Sequence, residues 1–209
     1  MGLRGQDFDQ VRAQLRAMSS LVHVAIGQAA TSLLELDDAQ RVASRALREL
    51  RRELDDLASL IVSRGQQPGT DLRPILAGLH ASAEVEGMAE AARDLLLIAR
   101  SRQGKVPLPR ELKAILRRMS DVTLAIITAA QEVSGSLEGA KKGQELGRSR
   151  AEMERLQRYM YQVLSVATNC SVRTIVDVTL AARALERCAN HALALDRHLT
   201  LFANATPAT

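Results

Sequence analysis

The chain has 209 residues, enough for one large helical domain or two small ones, and its 46% apolar and 25% charged content is that of an ordinary globular protein. The net charge of +4 is mild, and Arg and Glu interleave, as in "RALRELRREL", so no block of like charge is available to track a nucleic-acid backbone. Phe8, Tyr159, Tyr161 and Phe202 are the only aromatics, too few for base stacking.

The N-terminal "MGLRGQDFDQ" has no apolar core of a secretion signal, and Gln6 stands where a myristoylation pattern wants Ser or Thr. No unbroken apolar run approaches the roughly 20 residues of a membrane span. The expected location is the cytoplasm. Cys170 and Cys188, if carried on one helix, lie about 27 Å apart, so they are expected to stay free and reduced.

Apolar residues recur at helical spacing throughout. Val11, Leu15, Met18, Val22, Ala25 and Ala29 form the first stripe. "ELDDA" (35–39) ends that helix, and "SRGQQPGTD" (63–71) ends the second. "SRQGKVPLP" (101–109) closes the third and is the longest interruption. Leu112, Ile115, Met119, Val122, Ile126, Ala129 and Val133 mark the fourth helix. "SGSLEGA" (134–140) precedes the fifth, striped by Met153, Leu156, Met160, Val163 and Ala167, and "ATNCS" (167–171) precedes the sixth. No segment alternates like a strand.

The halves resemble each other. "LRAMS" at 15–19 returns as "LRRMS" at 116–120, and "DLRPILAGLHASAEVEGMAEAA" at 71–92 lies 100 residues before "SVRTIVDVTLAARALERCANHA". Arg73 then meets Arg173, and Glu86 meets Glu186. The expected fold is all-α: two tandem three-helix bundles, residues 1–104 and 105–209, with helices up to about 45 Å long.

"QPGTDLRPILAGLHASAEVEGMAEAA" resembles the "QP…DLR" segment and "ERxxD" helix of the PhoU family, and "LERCANHA" resembles that family's second copy, "LERxxDHA". "VDVTLAARALERCANHA" is especially similar to actinobacterial members. The similarity covers residues 6–202. It implies a cytoplasmic, non-enzymatic accessory regulator that links a phosphate ABC transporter, through its ATPase subunit, to a sensor histidine kinase and restrains the phosphate-starvation response. It also implies a possible homodimer and, in some members, metal clusters on acidic patches. Close actinobacterial relatives are associated with persistence and antibiotic tolerance.

Glu86 and Glu90 fall one turn apart on one helix face, with Asp94 extending the row. Two readings stand: a solvated acidic stripe beside a core face of Ile75, Leu79, Val85, Ala89 and Leu96, or hard oxygen ligands for a divalent or iron/zinc-type cation. Glu90 and Gly87 stand where the family has Asp and Arg. In the second copy Glu186 and Arg187 match, but Asn190 replaces an Asp and is a poorer ligand. The middle helices offer Glu49 or Glu53, and Glu154, yet Arg45, Arg148 and Arg150 lie close to where acids are wanted.

Cys188 and His191 are too few for a structural zinc site; Cys188 is expected in the core and His191 in a hydrogen bond or at the surface. His23, His80 and His198 read as isolated. Asp71 and Arg73 open the third helix, with Pro74 in its first turn, and Arg173 repeats Arg73 where Ser171 replaces the Asp. These are read as loop anchors or as a partner contact. No nucleophile–base set, P-loop or Gly-rich phosphate cradle occurs. The alternatives are a metal-binding helical protein and a diverged paralogue serving another kinase or transporter.

Overall fold

In a computed structural model, residues 5–35, 44–64, 73–104, 106–132, 136–167 and 170–205 are described. They form six helices: α1 Gly5–Glu35, α2 Ser44–Arg64, α3 Arg73–Ser101, α4 Arg110–Gln131, α5 Ser136–Val166 and α6 Val172–Ala205. There is no strand among the described residues.

The expected breaks at 63–71, 101–109 and 167–171 fall between helices. The expected loop at 134–140 does not hold to its end, because α5 already begins at Ser136 and runs through Gly139. A Cβ at Gly139 would meet nothing within 4 Å, so this half-buried glycine is an ordinary helical residue rather than a break. At 34 residues α6 is about 51 Å long, somewhat over the expected length. Its start is capped by Ser171, whose Oγ accepts the Thr174 N–H at 3.1 Å.

Four helices make the centre. α1 packs on α3, α3 on α6, α6 on α4 and α4 on α1, while α2 covers α1 and α3 and α5 covers α4 and, more lightly, α6. One apolar cluster runs through both halves, from Val11, Leu15, Met18 and Val22 to Leu195 and Leu199. The first stripe is buried in full. In the fourth helix, Leu112, Ile115, Met119, Val122 and Ile126 are buried as expected.

α1 corrects one expectation. Gln10–Glu35 is long and apolar enough to cross a membrane by length and composition. The stretch from Ala17 to Leu34 carries no Asp, Glu, Lys or Arg although polar residues interrupt it. Its apolar face lies in the protein core, which accounts for the composition without a bilayer.

α3 and α6 share the most extensive contact of any pair. They run antiparallel: Arg102 meets Asp177 at one end, Asp94 meets Arg187 further along, and Glu84 meets His191 beyond that. Arg102 follows α3 in a turn that Gly104 completes at φ 69°. Its Nη1 donates to Asp177 Oδ2 at 3.0 Å and its Nη2 to the Val106 carbonyl at 2.9 Å. The two side chains are 3% and 12% exposed, so the pair is a buried one. A second clasp joins α1 to α4, where Glu35 accepts from Lys113 at 2.8 Å and pairs with Arg117. Lys113 holds the Glu35 carboxyl below its usual range.

Removing one partner of a buried ion pair strands the other. Arg102→Ala or Asp177→Ala should therefore lower unfolding free energy by about 3–5 kcal/mol in denaturant titrations. Arg102→Met combined with Asp177→Leu should cost less than either single change.

Candidate acidic motif sites

The paired motif glutamates sit on the third helix of each half, where the 100-residue repeat puts them, and each turns toward the middle helix of its own half. Glu86 on α3 is ion-paired with Arg51 of α2, both side chains about two-fifths exposed (40% and 38%). Arg51 Nε also reaches Asp55 Oδ2 at 3.4 Å. Glu186 on α6 accepts from Gln157 Nε2 of α5 at 2.6 Å and from Arg183 on its own helix.

The row on α3 does not converge. Glu86 faces α2, Glu90 is exposed and pairs with Arg93 at 3.6 Å, and Asp94 reaches across to Arg187 of α6. Four residues turn through about 400°, roughly 40° past a full circle, so the row drifts around the helix. Of the expected core face, Val85, Ala89 and Leu96 are buried, but Leu79 is 37% exposed. The side chain of Ile75 lies outside the described residues.

In the second half a cavity of about 130 Å³ brings Glu154, Gln157, Glu186 and Asn190 together beside Arg150. The sequence placed Glu154 correctly, but Arg150 Nε donates to it at 3.2 Å. In the first half Glu53 accepts a long hydrogen bond from Gln14 of α1 at 3.5 Å. Among the described residues no three His, Cys, Asp or Glu side chains are disposed to hold one metal ion. Arg187, expected as a motif residue, is the partner of Asp94. Arg73 and Arg173 are exposed at the openings of α3 and α6, and Asp71 lies outside the described residues.

Cys188 is fully buried, and burial pushes its thiol up from the ordinary range, so it is a packing residue and not a nucleophile. Cys170 precedes α6 rather than sharing it, and both cysteines are free.

Sequence reasoning missed how the histidines gather. Three of the four lie along the α3–α6 seam. Glu84 lies 2.8 Å from His191 Nδ1 and 3.7 Å from His198 Nε2. His80 stacks on His198 with ring centroids 5.2 Å apart. His191 fits because residue 87 is glycine: a Cβ there would come within 2.4–2.7 Å of the imidazole. The available signal was spacing, since His80 and Glu84 are i,i+4 and His191 and His198 are i,i+7.

No family model matches the chain. It is 28% identical over 199 residues, 93% of each chain, to "Phosphate-specific transport system accessory protein PhoU homolog 2" of Mycobacterium tuberculosis. It is 26% identical over 211 residues to "Phosphate-specific transport system accessory protein PhoU homolog 1" of Mycobacterium leprae, covering 96% of this chain and 92% of that one. The crystal structure of PhoU from Pseudomonas aeruginosa superposes with a TM-score of 0.79 over 96% of this chain and 99% of that one, at 18% identity. That last likeness establishes the fold.

Two outcomes follow for the seam. Gly87→Ala should destabilise by about 1–3 kcal/mol through overpacking, despite the roughly 1 kcal/mol that alanine gains in a helix. Differential scanning calorimetry reads it. Burial lowers the His198 pKa from 6.5, with His80 and Arg197 adding to the shift and Glu84 opposing it. The native state thus binds fewer protons at this site than the unfolded chain. This contribution is complete above about pH 6.5 and is lost as pH falls through the lowered value. His198→Asn should flatten the fall in thermal midpoint below pH 6.5.

Proposed function

For a chain that is PhoU-like in sequence and in fold over almost its whole length, we propose a role as an accessory regulator of phosphate transport. The whole-length similarity to proteins named as phosphate-transport accessory proteins carries this reading. In the finer form, the chain works in the cytoplasm by protein–protein contacts. It links the ATPase subunit of a phosphate ABC transporter to a sensor histidine kinase and represses the starvation response when phosphate is plentiful. Self-association as a homodimer belongs to the same reading.

The surface suits such contacts. Val172, Val176 and Leu180 repeat every four residues along α6 and are 77%, 48% and 52% exposed. Near the start of α6, a groove of about 530 Å³ between α4 and α5 is lined by Leu112, Tyr159, Val163, Val166 and Cys170. Tyr159 Oη donates to Glu111 Oε1 at 2.5 Å across it, which raises the Tyr159 pKa. Rigid helix faces that leave apolar side chains in water are the usual material of partner surfaces.

A second reading, a diverged paralogue that serves another kinase or transporter, draws on Asn190 and on the arginines that hold the motif acids. Deletion separates the two. In phosphate-rich medium, loss of the gene should raise a phosphate-starvation reporter severalfold and alter phosphate uptake. An unchanged reporter with unchanged uptake would overturn the leading reading.

A further inference from the structure

We infer that the acidic motifs of this chain are closed by its own cationic and amide side chains, and that Arg51 is the residue that keeps a metal ion off the first of them. The metal that the family resemblance implies would need electron-pair donors around Glu86 and Glu186. The guanidinium groups of Arg51 at Glu86 and of Arg183 at Glu186 are of the opposite kind, and Gln157 turns its N–H, not its carbonyl oxygen, toward Glu186. A guanidinium has five N–H donors and no lone pair to offer a cation. Arg51 presents one of them to Glu86 Oε2, from α2, where a carboxylate would be wanted. In the second half Gln157 and Arg183 both meet Glu186 Oε2. Asp94, the end of the first row, is held by Arg187, and Glu154 by Arg150.

The two halves share one design. In each, a side chain of the middle helix crosses to the motif glutamate of the third helix, Arg51 to Glu86 and Gln157 to Glu186. A metal in this place would do two things: cancel the repulsion between carboxylates one turn apart and tie two helices together. Arg51 does both with a cation that cannot dissociate from the chain. An incoming divalent ion at Glu86 meets that fixed positive charge and must displace it. The first motif is therefore an ion pair between α2 and α3 that needs no metal, and residue 51 is the position that decides between ion pair and cation site.

Arg51 and Glu86 are about two-fifths exposed, and ion pairs of that kind contribute little to stability, so substitutions at position 51 should leave the fold intact. The test uses the full chain, stripped with a chelator and dialysed, then titrated with Mn²⁺ by calorimetry and melted with and without Mn²⁺ or EDTA. Wild-type protein should show no saturable binding and no shift of thermal midpoint. Arg51→Glu, which puts a third carboxylate beside Glu86 and Asp55, the two acids that Arg51 meets, should bind one Mn²⁺ per chain at least about tenfold tighter than wild type, and adding Glu86→Gln should abolish that binding. Arg51→Lys keeps the charge and should stay indifferent. Stoichiometric binding by the wild type that Glu86→Gln removes would overturn the inference. So would Arg51→Glu binding no tighter than wild type. If Arg51→Glu does not fold, Arg51→Gln takes its place with the same expectation of tighter binding and the same contrary result. These readouts involve neither phosphate nor a partner, so they stand or fall apart from the regulatory role.

Discussion

The antiparallel seam between α3 and α6 is the contact on which the rest depends. Among the described residues the ion pairs between the motif-bearing helices run along it: the buried Arg102–Asp177 pair at one end, Asp94–Arg187 in the middle, and Glu84 with His191 and His198 beyond. Many of the buried side chains of α3 and α6 are small, Ala77, Ala81, Ala91, Ala92, Ala181, Ala184 and Ala192 among them. Alanine lets two helix backbones approach closely, and Gly87 lets them accept an imidazole as well. The result is a shared core, so the two halves of the repeat meet as the middle of a four-helix ring, with α2 and α5 on the outside.

That placement puts the motif acids on the flanks of the seam, where α2 and α5 meet it. Acidic rows on long helices need a counter-charge, and here the chain supplies it from Arg51, Arg93, Arg183 and Arg187. The motif keeps its glutamates while their surroundings become donors. A side chain can meet the electrostatic requirement of an acidic row as an ion would. Apolar side chains stay exposed on α6 and along the groove by Tyr159.

Much of this was legible beforehand. The 3.6-residue stripes predicted the helices, Gly and Pro clusters located the breaks at 63–71 and 101–109, and the 100-residue repeat placed Glu86 and Glu186 on equivalent helices. What stayed hidden depends on partners far away in the chain. Asp177 sits on an otherwise apolar face of α6 where its repeat equivalent is Ala77, and that asymmetry was the one local hint of a buried mate. Its mate, Arg102, lay in a stretch read as a loop. His80 and His198 looked isolated, and the hydrogen bond expected of His191 had no visible partner, because 107 positions separate Glu84 from His191. Arg45, Arg148 and Arg150 were noticed as out of place for metal binding, but Arg51, which meets Glu86, was not, because which arginine touches which acid depends on helix rotation that no local pattern sets.

The most direct measurement is the affinity of the purified full chain for the cytoplasmic part of a phosphate-responsive sensor histidine kinase, the partner proposed above, before and after exhaustive chelation. A regulator whose acidic motifs are closed by arginine should bind with the same dissociation constant in both conditions. Absence of binding in both, or binding that disappears with the metal and returns on its addition, would contradict it.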